Sequence, residues 1–170
     1  MKERVRVSVT VLLLVLSAGL LCLAQEAKPG LLTPAELKQF VPSVYFFRGQ
    51  TATVQLRNSG GFRIAPDKLV LAALVDTSGY SHDVKQKYQG LLITEMKLSV
   101  GGTDLAPGEY GFGFSEDGKF LVMDVGANDL FFVAAQTDAD LKRPVPLKMV
   151  EEGGGYRLYA GRKFVSVKAR

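Results

Sequence analysis

Tryptophan is absent from the 170-residue sequence, which also contains a single cysteine and a single histidine. One cysteine excludes an internal disulfide, and one histidine excludes a metal site built from several imidazoles. The cysteine, Cys22, lies in an apolar N-terminal segment, so the remaining chain offers no thiolate as nucleophile or zinc ligand. The sequence also lacks a G-x-S-x-G motif, a phosphate-binding loop and the acidic spacing of an EF-hand. We therefore predict no cofactor, no metal site and no enzymatic activity.

An excess of one charge is also lacking. The formal net charge is +4, but three of the 21 basic residues and one of the 17 acidic residues precede Gln25, so the remainder carries only +2. A protein that binds nucleic acid needs a concentrated basic face. We therefore predict no nucleic-acid partner and, from the chain length, a single globular domain.

The N-terminus has the pattern of a secretory signal peptide. Lys2, Arg4 and Arg6 precede a segment without charge that runs from Val7 to Ala24. A basic start, an apolar run and small residues before the cleavage site are the parts of such a signal. We predict cleavage after Ala24 and an exported protein, periplasmic or secreted. The alternative is an uncleaved membrane anchor, because the apolar run approaches the length that spans a bilayer.

Lipid attachment is disfavoured, although Cys22 lies near the end of this run. Bacterial lipoprotein signals place a small residue directly before the cysteine, whereas Leu21 occupies that position here. The predicted organisation is a signal peptide at residues 1–24, a short leader at 25–32 and a single β domain at 33–170.

Alternating apolar and polar residues predict a mainly β fold. In 51–57 (TATVQLR) the two kinds of side chain alternate, which is typical of a half-buried antiparallel strand. We predict an antiparallel β-sandwich or a small β-barrel of about eight to nine strands. One short N-terminal helix precedes it, capped by Thr33 and ending before Pro42. The strands are expected within ten segments, of which one or two merge or fail to form, near 44–48, 51–57, 69–75, 91–100, 109–115, 119–125, 130–137, 145–150, 155–159 and 163–168.

Two segments, 69–75 (LVLAALV) and 130–135 (LFFVAA), are apolar at consecutive positions. A strand that is apolar on both faces is covered on both sides. Both segments are therefore predicted to be central or doubly covered strands. The first could also be a buried helical segment, because a short apolar run does not distinguish the two.

The segment 110–114, Tyr-Gly-Phe-Gly-Phe, places three aromatic side chains on one face of a strand and two glycines on the other. The glycines leave a flat face that another element can approach closely. The aromatic side chains either fill the core or line a pocket for a small apolar ligand. The candidate residues of such a pocket are Tyr110, Phe112, Phe114 and Phe131.

The segment 77–90 (TSGYSHDVKQKYQG) is polar and long for a hairpin connection. Long connections in compact domains often carry function. Tyr80, His82 and Tyr88 are its candidate contacts with a partner, and Ser81 can cap a short helix. The alternative is a solvated crossover without a function. We do not predict a catalytic role for His82, because a Ser-His-Asp site combines residues from distant parts of the chain.

One acidic residue falls inside a predicted strand. Asp124 follows the apolar residues FLVM, so we expect a buried carboxylate that pairs with Arg157, Arg162 or Lys163. The other acidic pairs lie at predicted turns, where carboxylates are common, and a hydrolase that uses two of them is the least favoured reading. The basic C-terminal segment 157–170 is predicted to be a charged edge strand, or else a contact with an anionic surface.

The stretch 97–110, KLSVGGTDLAPGEY, followed by Phe114 and by FLVMD at 120–124, resembles the V-x-G-x-x-L-P-A-G-x-Y hairpin of exported bacterial β-sandwich proteins of unknown function. The resemblance covers about residues 92–125. It implies a β-sandwich in an exported protein. It brings no catalytic residues, because none are established for that family.

Taken together, these features predict an exported, non-catalytic binding or envelope-associated β module. The alternative is a carrier that holds a small apolar ligand in a barrel or sandwich pocket. The expected partner is a protein, the cell envelope or a small apolar ligand. The membrane is contacted only through the signal segment, if that segment is not cleaved.

Overall fold

The computed structural model describes residues 28–170. The predicted signal segment, its cleavage after Ala24 and the cysteine at position 22 lie outside the described residues. Within residues 28–170, neither helix has the length and apolar composition that a membrane-spanning helix requires.

The described chain forms fourteen strands and two short helices. In chain order the elements are β1 Gly30–Leu31, α1 Pro34–Phe40, β2 Val44–Phe47, β3 Gln50–Ala65, β4 Lys68–Val75, α2 His82–Lys87, β5 Gly90–Thr94, β6 Leu98–Val100, β7 Thr103–Leu105, β8 Gly108–Phe114, β9 Lys119–Met123, β10 Asp129–Ala134, β11 Gln136–Thr137, β12 Val145–Glu152, β13 Gly155–Gly161 and β14 Lys163–Ala169.

These strands form two antiparallel sheets that are not closed into a barrel. The first sheet has the order β1-β3-β4-β5-β8-β9-β10, and β2 pairs with the beginning of β3. The second sheet has the order β12-β13-β14-β6-β7, and β11 pairs with β14. The prediction of a mainly β, antiparallel sandwich is confirmed, and the barrel alternative is wrong.

The main core lies between the two sheets. The first sheet contributes the buried side chains of Phe62, Phe112 and Phe120, and the second contributes those of Leu158 and Val167, among others. The ring of Phe62 stacks on that of Tyr156 with centroids 3.7 Å apart, which joins β3 to β13. Burial of these large apolar side chains is the principal term that stabilises the sandwich.

A second apolar layer covers the outer face of the first sheet. It is built by β2 and the segment around α2, whose buried side chains Phe47, Tyr80 and Tyr88 pack on Ala73 and Leu91 of the sheet. Strands β4 and β5 are therefore buried on both faces. This explains the continuous apolar run at 69–75 and confirms it as a central strand.

Helix α1 begins as the sequence predicts. The Thr33 hydroxyl accepts a hydrogen bond from the Glu36 amide at 3.3 Å, and the Glu36 carboxylate accepts one from the Thr33 amide at 2.9 Å. This reciprocal arrangement is a capping box. Arg63 of β3 holds the helix on the sheet, because its guanidinium lies 3.3 Å from the Glu36 carboxylate and 5.3 Å from the centroid of the Phe40 ring.

Two boundaries differ from the sequence predictions. The segment 91–100 is not one strand, because a bend after Thr94 carries the chain from β5 in the first sheet to β6 in the second. The buried Thr94 hydroxyl stabilises this bend by donating a hydrogen bond to the Met96 carbonyl at 2.6 Å. The short helix expected after Ser81 is present as α2, with Ser81 at its N-cap position but without a capping hydrogen bond from the Ser81 side chain. Finally, the segment 25–32 contributes β1, which pairs with β3, so the fold includes part of the expected leader.

Two strands occupy positions opposite to those predicted. Strand β10 is an edge strand of the first sheet rather than a central one, and Leu130 and Phe132 are exposed. Strand β14, in contrast, lies inside the second sheet between β13 and β6 instead of at its edge. The local sequence shows how apolar a strand is, whereas the position of that strand in a sheet depends on partners that are distant in the sequence.

Candidate functional site

The aromatic residues of β8 lie in the main core. Phe112 is fully buried, and its ring lies 5.6 Å from that of Phe120, while Phe114 lies 4.8 Å from the same ring. Tyr110 and Phe131 are partly buried at the margin of this cluster, and the Tyr110 hydroxyl donates to the Ala106 carbonyl at 3.0 Å. These side chains fill the space between the sheets.

The two glycines of β8 face the opposite layer. A Cβ at Gly113 would overlap the carbonyl oxygen of Lys87, and one at Gly111 would overlap the ring of Phe47. The prediction that another element approaches this glycine face closely is therefore confirmed. The approaching element is the end of α2 together with β2.

The segment around α2 is anchored by its two tyrosines. Tyr88 is fully buried and stacks on Phe47 at 3.8 Å, and the Tyr80 hydroxyl donates to the Phe47 carbonyl at 3.1 Å. His82 is exposed, and its Nε2 atom lies 2.9 Å from Nε2 of Gln86. Of the three predicted contact residues in this segment, only His82 is accessible to a partner.

The buried tyrosines have no acid–base role at neutral pH. The hydroxyls of Tyr45 and Tyr88 are buried without a hydrogen-bond partner among residues 28–170. Burial raises the pKa of both phenols far above its ordinary value, and the negative charge of Glu109 adds to the rise for Tyr45. Both groups therefore stay protonated and offer no phenolate nucleophile.

An open groove of about 590 Å³ lies between the end of α2 and the outer face of β9 and β10. Its apolar part is formed by Phe132, which is 63% exposed, and by Leu121, which pairs directly opposite it on β9. The neighbouring Leu130 is 48% exposed. We call Leu130, Phe132 and this groove the β10 surface. Exposed apolar side chains that adjoin a groove are typical of a contact site.

Six charged side chains line the groove of the β10 surface, three of each sign, and four of them form two ion pairs. The Lys87 ammonium lies 2.7 Å from the Asp129 carboxylate, and that of Lys119 lies 2.5 Å from the carboxylate of Asp117. The Lys119 ammonium also lies 5.2 Å from the centroid of the Phe132 ring. The apolar part of the surface is thus bordered by neutralised pairs and has no strong field of either sign.

Backbone and side-chain hydrogen bonds hold the groove rigidly. The Gln89 side chain donates to the Phe114 carbonyl and accepts from the Phe114 amide, each at 3.0 Å. Lys163 of the second sheet donates to the Ser115 carbonyl at 2.6 Å, next to the turn between β8 and β9. The position of this turn is therefore fixed from both sheets.

Asp124 lies in the turn between β9 and β10, which corrects its predicted place inside a strand. Its carboxylate accepts hydrogen bonds from the Asn128 side chain at 2.8 Å and from the amides of Gly126 and Asn128 at 2.9 Å. The expected ion pair is absent from the described residues, since Arg157 pairs with Glu152 instead. Asp124 shapes the turn that leads into the β10 surface.

These hydrogen bonds make the turn sensitive to pH. The Asn128 side chain, followed by the backbone amides, holds the pKa of Asp124 below its ordinary value. A lowered pKa in the folded state contributes stability above the unfolded pKa, about 3.9, and loses it as the pH falls through the folded pKa. Asp124→Ala is therefore expected to lower the urea midpoint at neutral pH, by an amount that shrinks below about pH 4.

The matched control is Asp140→Ala, because the Asp140 carboxylate is exposed and makes no hydrogen bond or ion pair within residues 28–170. Urea midpoints of both variants are measured from neutral to acidic pH. A loss for Asp124→Ala that stays constant over this range would contradict the assigned hydrogen bonds.

No metal site forms in the described chain, since no three His, Cys, Asp or Glu side chains gather within residues 28–170. The β10 surface does not follow from the sequence analysis, because the apolar run at 130–135 predicts a central strand. A signal was nevertheless present: Leu130 and Phe132 alternate with Phe131 and Val133, so one of two apolar faces had to lie away from the main core.

Comparisons with protein-family models, curated proteins and solved structures find no significant match.

Proposed function

We propose that this chain is a non-catalytic binding module that acts after export, and that the β10 surface binds an extended polypeptide segment of a partner. The segment adds to β10 as a further strand and places its apolar side chains beside Phe132. Strand addition to an open sheet edge is a recurring mode of peptide recognition. The observation that carries the proposal is the exposure of Phe132 and Leu130 on an edge strand.

The backbone of β10 is oriented to accept such a strand. The Ala135 amide donates to the Gly118 carbonyl at 2.8 Å, which sets the phase of the ladder between β10 and β9. Amides alternate in direction along an antiparallel pair, so those of Phe132 and Ala134 point away from β9. No described strand lies beyond β10. Its outward amides and carbonyls are therefore placed to pair with an added strand.

Strand β10 also lacks the usual protection of an edge. Natural edges are commonly blocked by lysine, proline or a charge that points inward. Within Asp129–Ala134 the sole charged residue is Asp129, and it is already paired with Lys87. The register is irregular between Asp129 and Phe131, whereas Phe131–Ala134 pair regularly with β9. An unprotected apolar edge strand of this kind favours a binding role for β10.

The chemistry of the surface indicates what the partner offers. Since the bordering charges neutralise each other, recognition rests on backbone hydrogen bonds and apolar side chains at alternate positions. The N-terminal signal pattern and the resemblance of residues 92–125 to exported β-sandwich proteins support a location outside the cytoplasm. A partner in the envelope or periplasm fits both expectations.

A peptide library displayed on phage tests this proposal, with random 12-residue peptides as the probe. Selection on the purified protein is expected to enrich peptides with apolar residues at alternate positions. Phe132→Asp is expected to weaken the enriched peptides at least about tenfold, because it removes one large apolar contact from the interface. Affinities are measured by fluorescence polarisation.

The matched control is Phe46→Asp, because Phe46 is 61% exposed on β2 and does not border this groove. It is expected to leave peptide affinity unchanged. Equal affinity of the enriched peptides for Phe132→Asp and the parent protein would overturn the proposal. So would a dimer that Phe132→Asp converts to a monomer, because the occupant would then be a second copy of the chain.

A further inference from the structure

A second open cleft, of about 400 Å³, lies on the same outer face of the first sheet but at its opposite end. We call it the β2 cleft. Its floor is formed by Leu69, Leu71 and Ile93 of the sheet, and Phe46 stands at its wall with 61% of its surface exposed. The volume lies within the range typical of sites for small organic molecules.

The pairing register places a carboxylate at the end of this apolar floor. Leu71 lies opposite Ile93, and Ile93 lies opposite Glu109, so the three side chains form one row across β4, β5 and β8. Directly opposite residues have Cβ atoms about 5 Å apart. Glu109 is therefore immediately next to the apolar floor.

A second carboxylate lies on the other side of Ile93. Glu95 follows Ile93 by two positions and also borders the β2 cleft. Its Oε2 atom accepts a hydrogen bond from the Leu69 amide at 2.8 Å, which fixes the carboxylate at the rim. The two acidic side chains thus flank Ile93, while the remaining lining of the cleft is mostly apolar.

Neither carboxylate has a positively charged partner within residues 28–170. The basic side chain behind the cleft wall, Arg63, is buried and paired with Glu36. The remaining polar group, the Tyr45 phenol, is buried beside Glu109 and stays neutral. This contrasts with the β10 surface, where Asp129 and Asp117 are paired with Lys87 and Lys119.

We propose that the β2 cleft binds an amphiphilic organic cation, namely an apolar chain or ring that carries a protonated amine. The apolar part lies on Leu71 and Ile93 beneath Phe46, and the ammonium lies beside Glu109, with the Glu95 carboxylate on the other side of Ile93. The ammonium supplies the missing positive charge, and removal of the apolar part from water supplies most of the affinity. An anionic amphiphile of the same length meets two like charges instead and is excluded.

This site is independent of the β10 surface, because the two share no lining residue. Failure of either proposal therefore leaves the other standing.

The experiment uses three probes with the same ten-carbon chain: decylamine, decanol and decanoate. Their binding to the purified protein is measured by isothermal titration calorimetry below the micellar concentration, near pH 7, where the amine is protonated and the acid is ionised. Affinity is expected to fall in the order amine, alcohol, acid. Glu109→Gln is expected to reduce the preference for the amine over the alcohol about fivefold, as for one exposed ion pair.

Two variants keep the result interpretable. Phe46→Ala is expected to weaken all three probes, because it removes the apolar wall, whereas Phe132→Ala is expected to weaken none. Thermal unfolding confirms that Glu109→Gln is folded. Equal affinity for amine and acid, or binding that Phe46→Ala leaves unchanged, would overturn the assignment of this cleft.

Discussion

Replacement of Gly113 by alanine is expected to cost about 3 kcal/mol of unfolding free energy, the upper end for overpacking a well-packed site. The added Cβ would overlap the carbonyl oxygen of Lys87, the last residue of α2. A flexible side chain could move aside, but a backbone carbonyl can move only with the whole segment. That segment carries Tyr88, which is fully buried against Phe47. Urea denaturation of parent and variant measures the loss.

The matched control is Gly79→Ala, in the same connection. A Cβ at Gly79 meets its nearest neighbour, the Gln50 side chain, at an ordinary contact distance of 3.5 Å. This variant is expected to change stability by about 0.5 kcal/mol at most. If Gly113→Ala were no more damaging than Gly79→Ala, the end of α2 would not pack on β8.

Phe112→Ala is expected to cost about 3–5 kcal/mol, as for deletion of a buried phenylalanine ring. The Phe112 ring is fully buried between the sheets and contacts the rings of Phe114 and Phe120. Its removal leaves a cavity that the paired strands on either side cannot close. Urea denaturation gives the free energy, and the slope of the transition shows whether two-state unfolding persists.

Phe132→Ala is the matched control, because it removes the same side chain from a site that is 63% exposed. It is expected to alter stability by about 0.5 kcal/mol or less. A loss for Phe112→Ala as small as that for Phe132→Ala would contradict a packed core and would favour a pocket for a small apolar ligand at β8.

The local features of this fold could be read from the sequence because their causes are local. The capping box at Thr33 and Glu36 lies within four residues, and it forms as expected. The alternation in 51–57 predicts a strand, and β3 includes it. The glycine face of β8 predicts a close approach. In each case the physical cause is a side chain, or its absence, within one element.

Features that depend on distant partners could not be read in this way. The segment 91–100 is predicted to be one strand, yet it changes sheets after Thr94, because β5 pairs with β4 and β6 pairs with β14. The apolar run of β10 has the same composition as a strand covered on both sides. The outer face of β10 is exposed because α2 does not extend over it. Helix α2 packs near Met123, whereas Leu121 and Phe132 line the open groove.

The candidate sites were less predictable than the fold. Tyr80 and Tyr88 lie in a polar segment, and nothing in the sequence indicated that they anchor it rather than contact a partner. The β2 cleft combines α1, β2 and the middle of the first sheet, so its carboxylates Glu95 and Glu109 are brought together only by register. Sites of this kind are defined by topology, which short sequence patterns do not encode.

The pairing of β14 with β6 has a consequence for the order in which the chain can fold. It joins Val167 to Val100, whereas the first sheet from β3 to β10 can assemble largely from strands that follow one another in sequence. A chain delivered amino end first can therefore complete most of one sheet while β6 still lacks its neighbour. Until Lys163–Ala169 arrives, the core between the sheets lacks the side chains of Val165 and Val167. The pairing of β14 thus acts as a closing step of folding, and a chaperone would be needed before that step rather than after it.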